Sequence, residues 1–277
     1  MKTTLKKLAY SGLTVLTIGV LAACSSTSSS STSSSSSSAT VTNTSNNSST
    51  SSSTSSSVDW SSLPTTEVSL TNEGLTITEG GTYILTGTTT GGVTVETDAN
   101  VRLILAGATI SSSDTAAINV LSAGTVEIEL QDGTENTVKD SSTHSNTDIE
   151  GAIHVEADLI LSGNGSLTVE GNFQDGIVST DNLTINAGNI TVTAADDGIR
   201  GKDSLTINGG TIDVTAAGDG IKATNDEDTT KGYTVITGGT ITVSAGDDAI
   251  KAESSLTIDG GDITVTDAAG NVIEDAS

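Results

Sequence analysis

Gln174-Asp175-Gly176-Ile177, Asp196-Asp197-Gly198-Ile199, Gly218-Asp219-Gly220-Ile221, Asp247-Asp248-Ala249-Ile250 and Gly270-Asn271-Val272-Ile273 are copies of one short pattern, and their isoleucines lie 22, 22, 29 and 23 residues apart. Weaker copies precede them at Glu150-Gly151-Ala152-Ile153 and Thr115-Ala116-Ala117-Ile118. A second unit recurs between the strong copies: LTINAGNITV at 183–192, LTINGGTIDV at 205–214, VITGGTITV at 235–243 and LTIDGGDITV at 256–265. Within each unit apolar residues alternate with Thr, Asn or Asp, the period of a strand with one buried face. Asn-Gly, Gly-Gly and Asp-Gly pairs punctuate the runs and mark sharp turns.

One repeat therefore reads as three short strands and three turns in about 22 residues. A unit this short cannot close a core of its own and must stack on its neighbours, about 4.8 Å away, with strands in parallel register. The fold expected is all-β, a right-handed parallel β-helix. A leucine-rich repeat would need a helical segment in each unit, and a propeller about twice the period. The less regular stretch 58–115 is expected to form the first coils and a cap. Residues 131–148 and 225–232 read as insertions.

Outward from the repeat, the ends have their own composition. Lys2, Lys6 and Lys7 precede an apolar run that ends Leu21-Ala22-Ala23-Cys24. Residues 1–23 read as a secretory signal, and Cys24, the sole cysteine, as the lipidation site at its cleavage point. That places the chain on the extracellular face of a cell membrane, held by a lipid anchor. Residues 25–57 contain 21 Ser, 7 Thr and 3 Asn and no charge, so they cannot bury enough apolar surface to fold and read as a disordered linker. The rest, 58–277, reads as one domain, expected to be monomeric. It has no cysteine with which to build a disulfide framework. The whole chain carries 35 acidic against 10 basic residues, the wrong sign for a nucleic-acid partner.

Stacking turns repeats into columns. The residues two before each isoleucine give Asp175, Asp197, Asp219, Asp248 and Asn271, and the position before adds Asp196 and Asp247. The residues just after it give His154, Val178, Arg200, Lys222 and Lys251, so an acidic and a basic column run side by side along one edge. Carboxylates one coil apart repel unless something positive lies between them, and Ca²⁺ takes six to eight oxygen ligands. One calcium site is expected at Asp175, Asp196, Asp197 and Asp219, and a second at Asp219, Asp247 and Asp248. The competing reading is that Asp-Gly is turn chemistry screened by the adjacent Arg or Lys; the doubled Asp196-Asp197 and Asp247-Asp248 favour metal, since a turn needs one. Arg200, Lys202, Lys222 and Lys251 beside such ions would suit an anionic polysaccharide. Trp60, Tyr83, Phe173 and Tyr233, the aromatics after residue 23, are too scattered for a sugar-stacking platform. His144 and His154 carry no zinc spacing.

With those residues in view, the stretch from about Ile77 to Ile273 resembles the bacterial carbohydrate-binding domain-containing lipoproteins with a right-handed β-helix. The resemblance rests on GTYILTG at 81–87, VRLIL at 101–105, LILSGNGSLTV at 159–169, DGI at 175–177, DGIRGKDSLTI at 197–207 and GDGIK at 218–222. It implies a calcium-binding surface protein for plant polysaccharide, pectic or cellulosic, with a fold similar to family 9 pectate lyases. Three function classes follow: a calcium-dependent polysaccharide-binding module, a pectate lyase with Lys222 or Arg200 as base, and a structural adhesin without sugar specificity.

Overall fold

The computed structural model describes residues 58–266. The signal, Cys24 and the linker, together with the copy at 270–273, lie outside the described residues. Apart from a 3₁₀ turn at Trp60–Ser62, the described residues are strand and turn. Twenty-three strands pair, and each pairing is parallel.

They form three stacked columns, here called faces, the arrangement of a parallel β-helix. The first face is a sheet of eight strands: Leu75–Ile77, Val93–Glu96, Ile118–Ser122, Gly151–Val155, Asp175–Ser179, Ile199–Gly201, Ile221–Ala223 and Ile250–Ala252. The second face runs through Thr125–Leu130, Asp158–Gly163, Asn182–Ile185, Ser204–Ile207, Tyr233–Ile236 and Ser255–Ile258. The third runs through Glu135–Lys139, Ser166–Gly171, Asn189–Ala194, Thr211–Ala216, Thr240–Ala245 and Asp262–Thr266. One long strand, Val101–Ser111, joins them, pairing with the second face by its first half and with the third by its last residues.

The register is the one the repeat dictates. Ile153, Ile177, Ile199, Ile221 and Ile250 stand opposite one another, all buried. The same column runs back through Ile118, Val93 and Leu75, so the irregular early segment forms coils in register with the rest. Leu183 faces Leu205 on the second face, and Ile190, Ile212 and Ile241 align on the third. Three inward columns meet in one core, and each fully buried Ile or Leu contributes about 2 kcal/mol of transfer free energy.

One sequence reading is corrected. Residues 131–148 are not one insertion: Glu135–Lys139 is a strand of the third face, and the insertion begins at Asp140. Its inward position opposite Leu167 is Asn136, which breaks the apolar alternation in the sequence. Asn136 is buried because it mends the bend in Val101–Ser111: its Oδ1 accepts the N–H groups of Gly107 and Ala108 at 2.9 Å, and its Nδ2 donates to the Ser166 carbonyl at 3.1 Å. A second polar residue also enters the core. Thr234 takes the place of Leu205 in the core, its hydroxyl donating to the Lys251 carbonyl at 3.0 Å, while Val235 faces outward.

Candidate functional site

The turn into each strand of the first face brings the acidic column onto one edge. There the aspartates form a ladder. Asp175 Oδ1 accepts the Asp197 N–H at 3.1 Å, Asp197 Oδ1 the Asp219 N–H at 2.8 Å, and Asp219 Oδ1 the Asp248 N–H at 3.0 Å. Each carboxylate thus satisfies the backbone donor of the coil above it, which a buried turn requires. The glycine that follows is dictated by packing: a Cβ on Gly198 would lie 2.3 Å from Val214 Cγ1 and 2.4 Å from the Gly220 carbonyl oxygen.

The second oxygen of each rung meets a cation from the outward column of the first face. Arg200, just after the inward Ile199, reaches back one coil to Asp175 Oδ2 at 2.8 Å and pairs also with Glu150. Lys222 pairs with Asp197 and, at 3.2 Å, with Asp219; Lys251 stands 3.4 Å from Asp219 Oδ2. Acid and base therefore interlock as a zipper along this edge. Arg200 and Lys222 are mostly buried, with 19% and 17% of their side chains exposed, Lys251 is half-buried and Lys202 is exposed.

The charges shift one another. Burial pushes the Asp175 carboxyl up to about 6, with Arg200 pulling down and Asp197 pushing up. Burial and Asp197 also raise Asp196. For Asp219 burial acts upward too, but the Asp248 N–H, Lys222 and Lys251 together hold it below the ordinary carboxylate range. Burial favours the neutral amine of Lys222, yet Asp197 and Asp219 keep its pKa above the usual lysine value.

Of the expected cation ligands, the structure brings together Asp175, Asp196 and Asp197, each offering an oxygen within 4.8 Å of the others, and among the described residues this is the one acidic group of three so gathered. Asp219 stays one coil away in the zipper, and Asp247 and Asp248 form no such group with it. Asp196 is exposed, while Asp175 and Asp197 are buried. Gly218 makes the convergence feasible. It follows Asp196 in its column, and a Cβ there would lie 2.4 Å from Asp196 Oδ1 and 2.7 Å from Asp197 Oδ1. Three oxygens of hard, anionic character over a glycine cradle fit a calcium-type ion.

The sequence reading missed what closes the other end of the edge. Residues 140–150 cross outside the first face, where His154 and Val178 are buried although they point outward. The crossing is pinned at several points. Asp140 Oδ1 accepts the Asn172 N–H at 2.5 Å; His144 stacks on Phe173 with centroids 4.3 Å apart, its Nδ1 2.6 Å from the Ile149 carbonyl; and the Ser145 N–H donates to the Asp114 carbonyl at 2.9 Å. Burial and the nearby Arg200 lower the His154 pKa to about 4. Glu150, at the end of the crossing, was legible in principle, because it occupies the position of Asp196 and Asp247 in its own weaker copy of the pattern.

A family model described as carbohydrate-binding domain-containing protein matches residues 71–277, well over half of the chain. The chain belongs to this family. A carbohydrate-binding domain-containing protein of Acetivibrio thermocellus is 35% identical over 135 residues, 46% of this chain and 47% of the relative. The chain thus spans about half the length of that curated relative. Among solved structures, a polysaccharide lyase-like protein from C. thermocellum, in a gadolinium derivative, superposes with a TM-score of 0.64 at 33% identity, over 74% of this chain and 97% of that one.

Proposed function

We propose that this family member is a cell-surface lipoprotein, anchored through Cys24, whose right-handed β-helix of about 22 residues per coil binds acidic polysaccharide with the help of calcium. The observation that carries the reading is the convergence of Asp175, Asp196 and Asp197 over Gly218, beside Arg200 and Lys222. Seven carboxylates on this edge (Glu150, Asp175, Asp196, Asp197, Asp219, Asp247 and Asp248) face three cations, Arg200, Lys222 and Lys251. The surplus negative charge favours a bound divalent cation, whose remaining ligand positions can be filled by uronate carboxylates. Exposed Lys202 and half-buried Lys251 would pair with further uronates.

The same geometry favours binding over lysis. A general base needs a pKa near the working pH. Lys222 is held above the ordinary lysine value between two carboxylates, and the Arg200 pKa is likewise raised, by Asp175 and Glu150 against the pull of burial. Neither would take a proton at neutral pH.

Calorimetric titration with Ca²⁺, followed by polygalacturonate retention with and without calcium, tests the reading. Saturable calcium binding, lost in Asp196→Asn, and calcium-dependent retention without unsaturated product are expected. No calcium binding, or release of unsaturated uronate, would overturn it.

A further inference from the structure

The crossing at 140–150 lies over the outward column of the first face, and one pair of its side chains faces a problem of charge. Asp140 and His144 have no side-chain surface exposed, and His144 Nε2 stands 3.0 Å from Asp140 Oδ2. The other ring nitrogen settles the tautomer. His144 Nδ1 lies 2.6 Å from the Ile149 carbonyl oxygen, which can only accept, so Nδ1 carries the hydrogen. In the neutral ring Nε2 is then a bare lone pair facing a carboxylate oxygen. Two acceptors this close and out of reach of water repel each other unless a positive charge is shared between them. Neither partner can turn away. Asp140 Oδ1 accepts the Asn172 N–H at 2.5 Å, and the His144 ring is stacked on Phe173.

We infer that one proton trapped between Asp140 and His144 latches the crossing shut, and that its loss as pH rises opens the crossing as a lid over the first face. Burial raises the Asp140 pKa against the pull of the Asn172 N–H and of His144, which helps to keep the proton in the pair. The charged groups around the pair come from several elements. From the first face beneath, His154 has a pKa of about 4 and stays neutral above it, and Arg200 pairs with Glu150 at the end of the crossing. On the crossing Asp148 is exposed, as is Asp114 in the turn whose carbonyl accepts the Ser145 N–H. Lys139, just before Asp140, pairs with Glu170, and the Asn172-Phe173-Gln174 turn brings no charge. A proton held by the closed form and lost from the open form stabilises the closed form below the titration, and that stability is lost as pH rises through it. Opening uncovers His154 and Val178 and takes Glu150 away from Arg200, so the outward column continues from the charged edge beneath the lid. The inference is independent of calcium.

The test is native-state hydrogen exchange of the full chain without metal, from about pH 6 to about pH 9, read as protection factors so that the intrinsic rate drops out. The Ser145, Ile149 and Asn172 amides report the latch, and those of Asn182–Ile185 report the fold. In the wild type, protection of the latch amides should fall by up to about tenfold per pH unit, the slope for loss of one proton, while Asn182–Ile185 stays protected. Asp140→Asn places a permanent N–H beside Nε2, so its latch should stay closed with a flat profile. His144→Gln removes the ring and should leave the latch amides weakly protected at each pH, with Asn182–Ile185 as in the wild type. Heteronuclear NMR should show the His144 Nε2 shift moving over the same pH range as the wild-type latch opens. Flat protection in the wild type, an Asp140→Asn profile that follows the wild type, or a constant Nε2 shift would overturn the inference.

Discussion

At the scale of single residues, the charged edge is decided by which oxygen each carboxylate has left to offer. Asp175, Asp197 and Asp219 each give Oδ1 to a backbone N–H, so a cation must share Oδ2 with Arg200 or Lys222, while Asp196 is unencumbered by the ladder. Gly218→Ala is therefore a direct probe. Its Cβ would enter the space where Asp196 and Asp197 converge, and calcium affinity should fall about tenfold, roughly 1.4 kcal/mol, in calorimetry with the fold retained. Unchanged affinity would mean the ion sits elsewhere. The buried titrations make a second prediction. His154 has a pKa of about 4 in the fold and about 6.5 unfolded, so as pH falls through that window the unfolded chain takes the proton first and stability is lost. Asp175 runs the other way: at about 6 folded against 3.8 unfolded, the folded chain binds the proton first, so stability is gained as pH falls from 6 towards 4. The two oppose each other in the wild type. Chemical denaturation of His154→Val should uncover the Asp175 limb, with stability rising as pH is lowered from 6 to 4. A flat profile in that variant would show that Asp175 does not titrate there.

At the scale of elements, the strong repeats were legible in the sequence because period-two alternation and Asp-Gly-Ile spacing are both local signals. The structure places Ile177, Ile199, Ile221 and Ile250 in one register, as the spacing required. What escaped the sequence depends on partners distant in the chain. Asn136 is inward because it satisfies Gly107 and Ala108 some 28 residues away, and no local pattern marks it. The crossing at 140–150 reads as a polar loop, and its role as cover is set by Phe173 and Asn172 in the next coil. For the site, residue types, columns and their pairing of acid with base were legible, but not which carboxylate each cation reaches, because that depends on the offset between coils. The glycines between coils carry a prediction at this scale. Gly176, Gly198 and Gly220 each stand where a Cβ would lie 2.3 Å from a valine methyl of the third face. Gly198→Ala should then cost about 2 kcal/mol in urea denaturation, since neither the valine nor the opposing Gly220 carbonyl can move without shifting a strand. A cost near zero would mean that adjacent coils slide easily over one another.

At the scale of the whole molecule, the described residues form a stack in which each coil contacts its neighbours, so stability is a sum of coil and interface contributions and need not be uniform along the axis. Burial grades accordingly. Ile236 and Ile241 are fully buried, Ile250 retains 9% exposure, and Ile258 in the last second-face strand is 43% exposed, with Leu256 and Ile263 partly so. The charged edge spans this gradient: Asp175 to Asp197 lie where coils are sealed on both sides and flanked by the crossing at 140–150, while Lys251 lies where they loosen. Local opening should therefore involve the Ile250–Ala252, Ser255–Ile258 and Asp262–Thr266 strands before the sealed middle coils, since they carry few buried apolar residues. Native-state hydrogen exchange should find their amides exchanging at least tenfold faster than those of Asn182–Ile185 and Thr211–Ala216, with Tyr233–Ile236 and Thr240–Ala245 in between. Calcium held by Asp175, Asp196 and Asp197 would slow exchange in the Asp175–Ser179 and Ile199–Gly201 strands and leave the loosened coil as it was, because nearest-neighbour coupling fades within a coil or two. Equal protection along the stack, with or without calcium, would mean that the solenoid opens as one unit and that the edge is not tuned coil by coil.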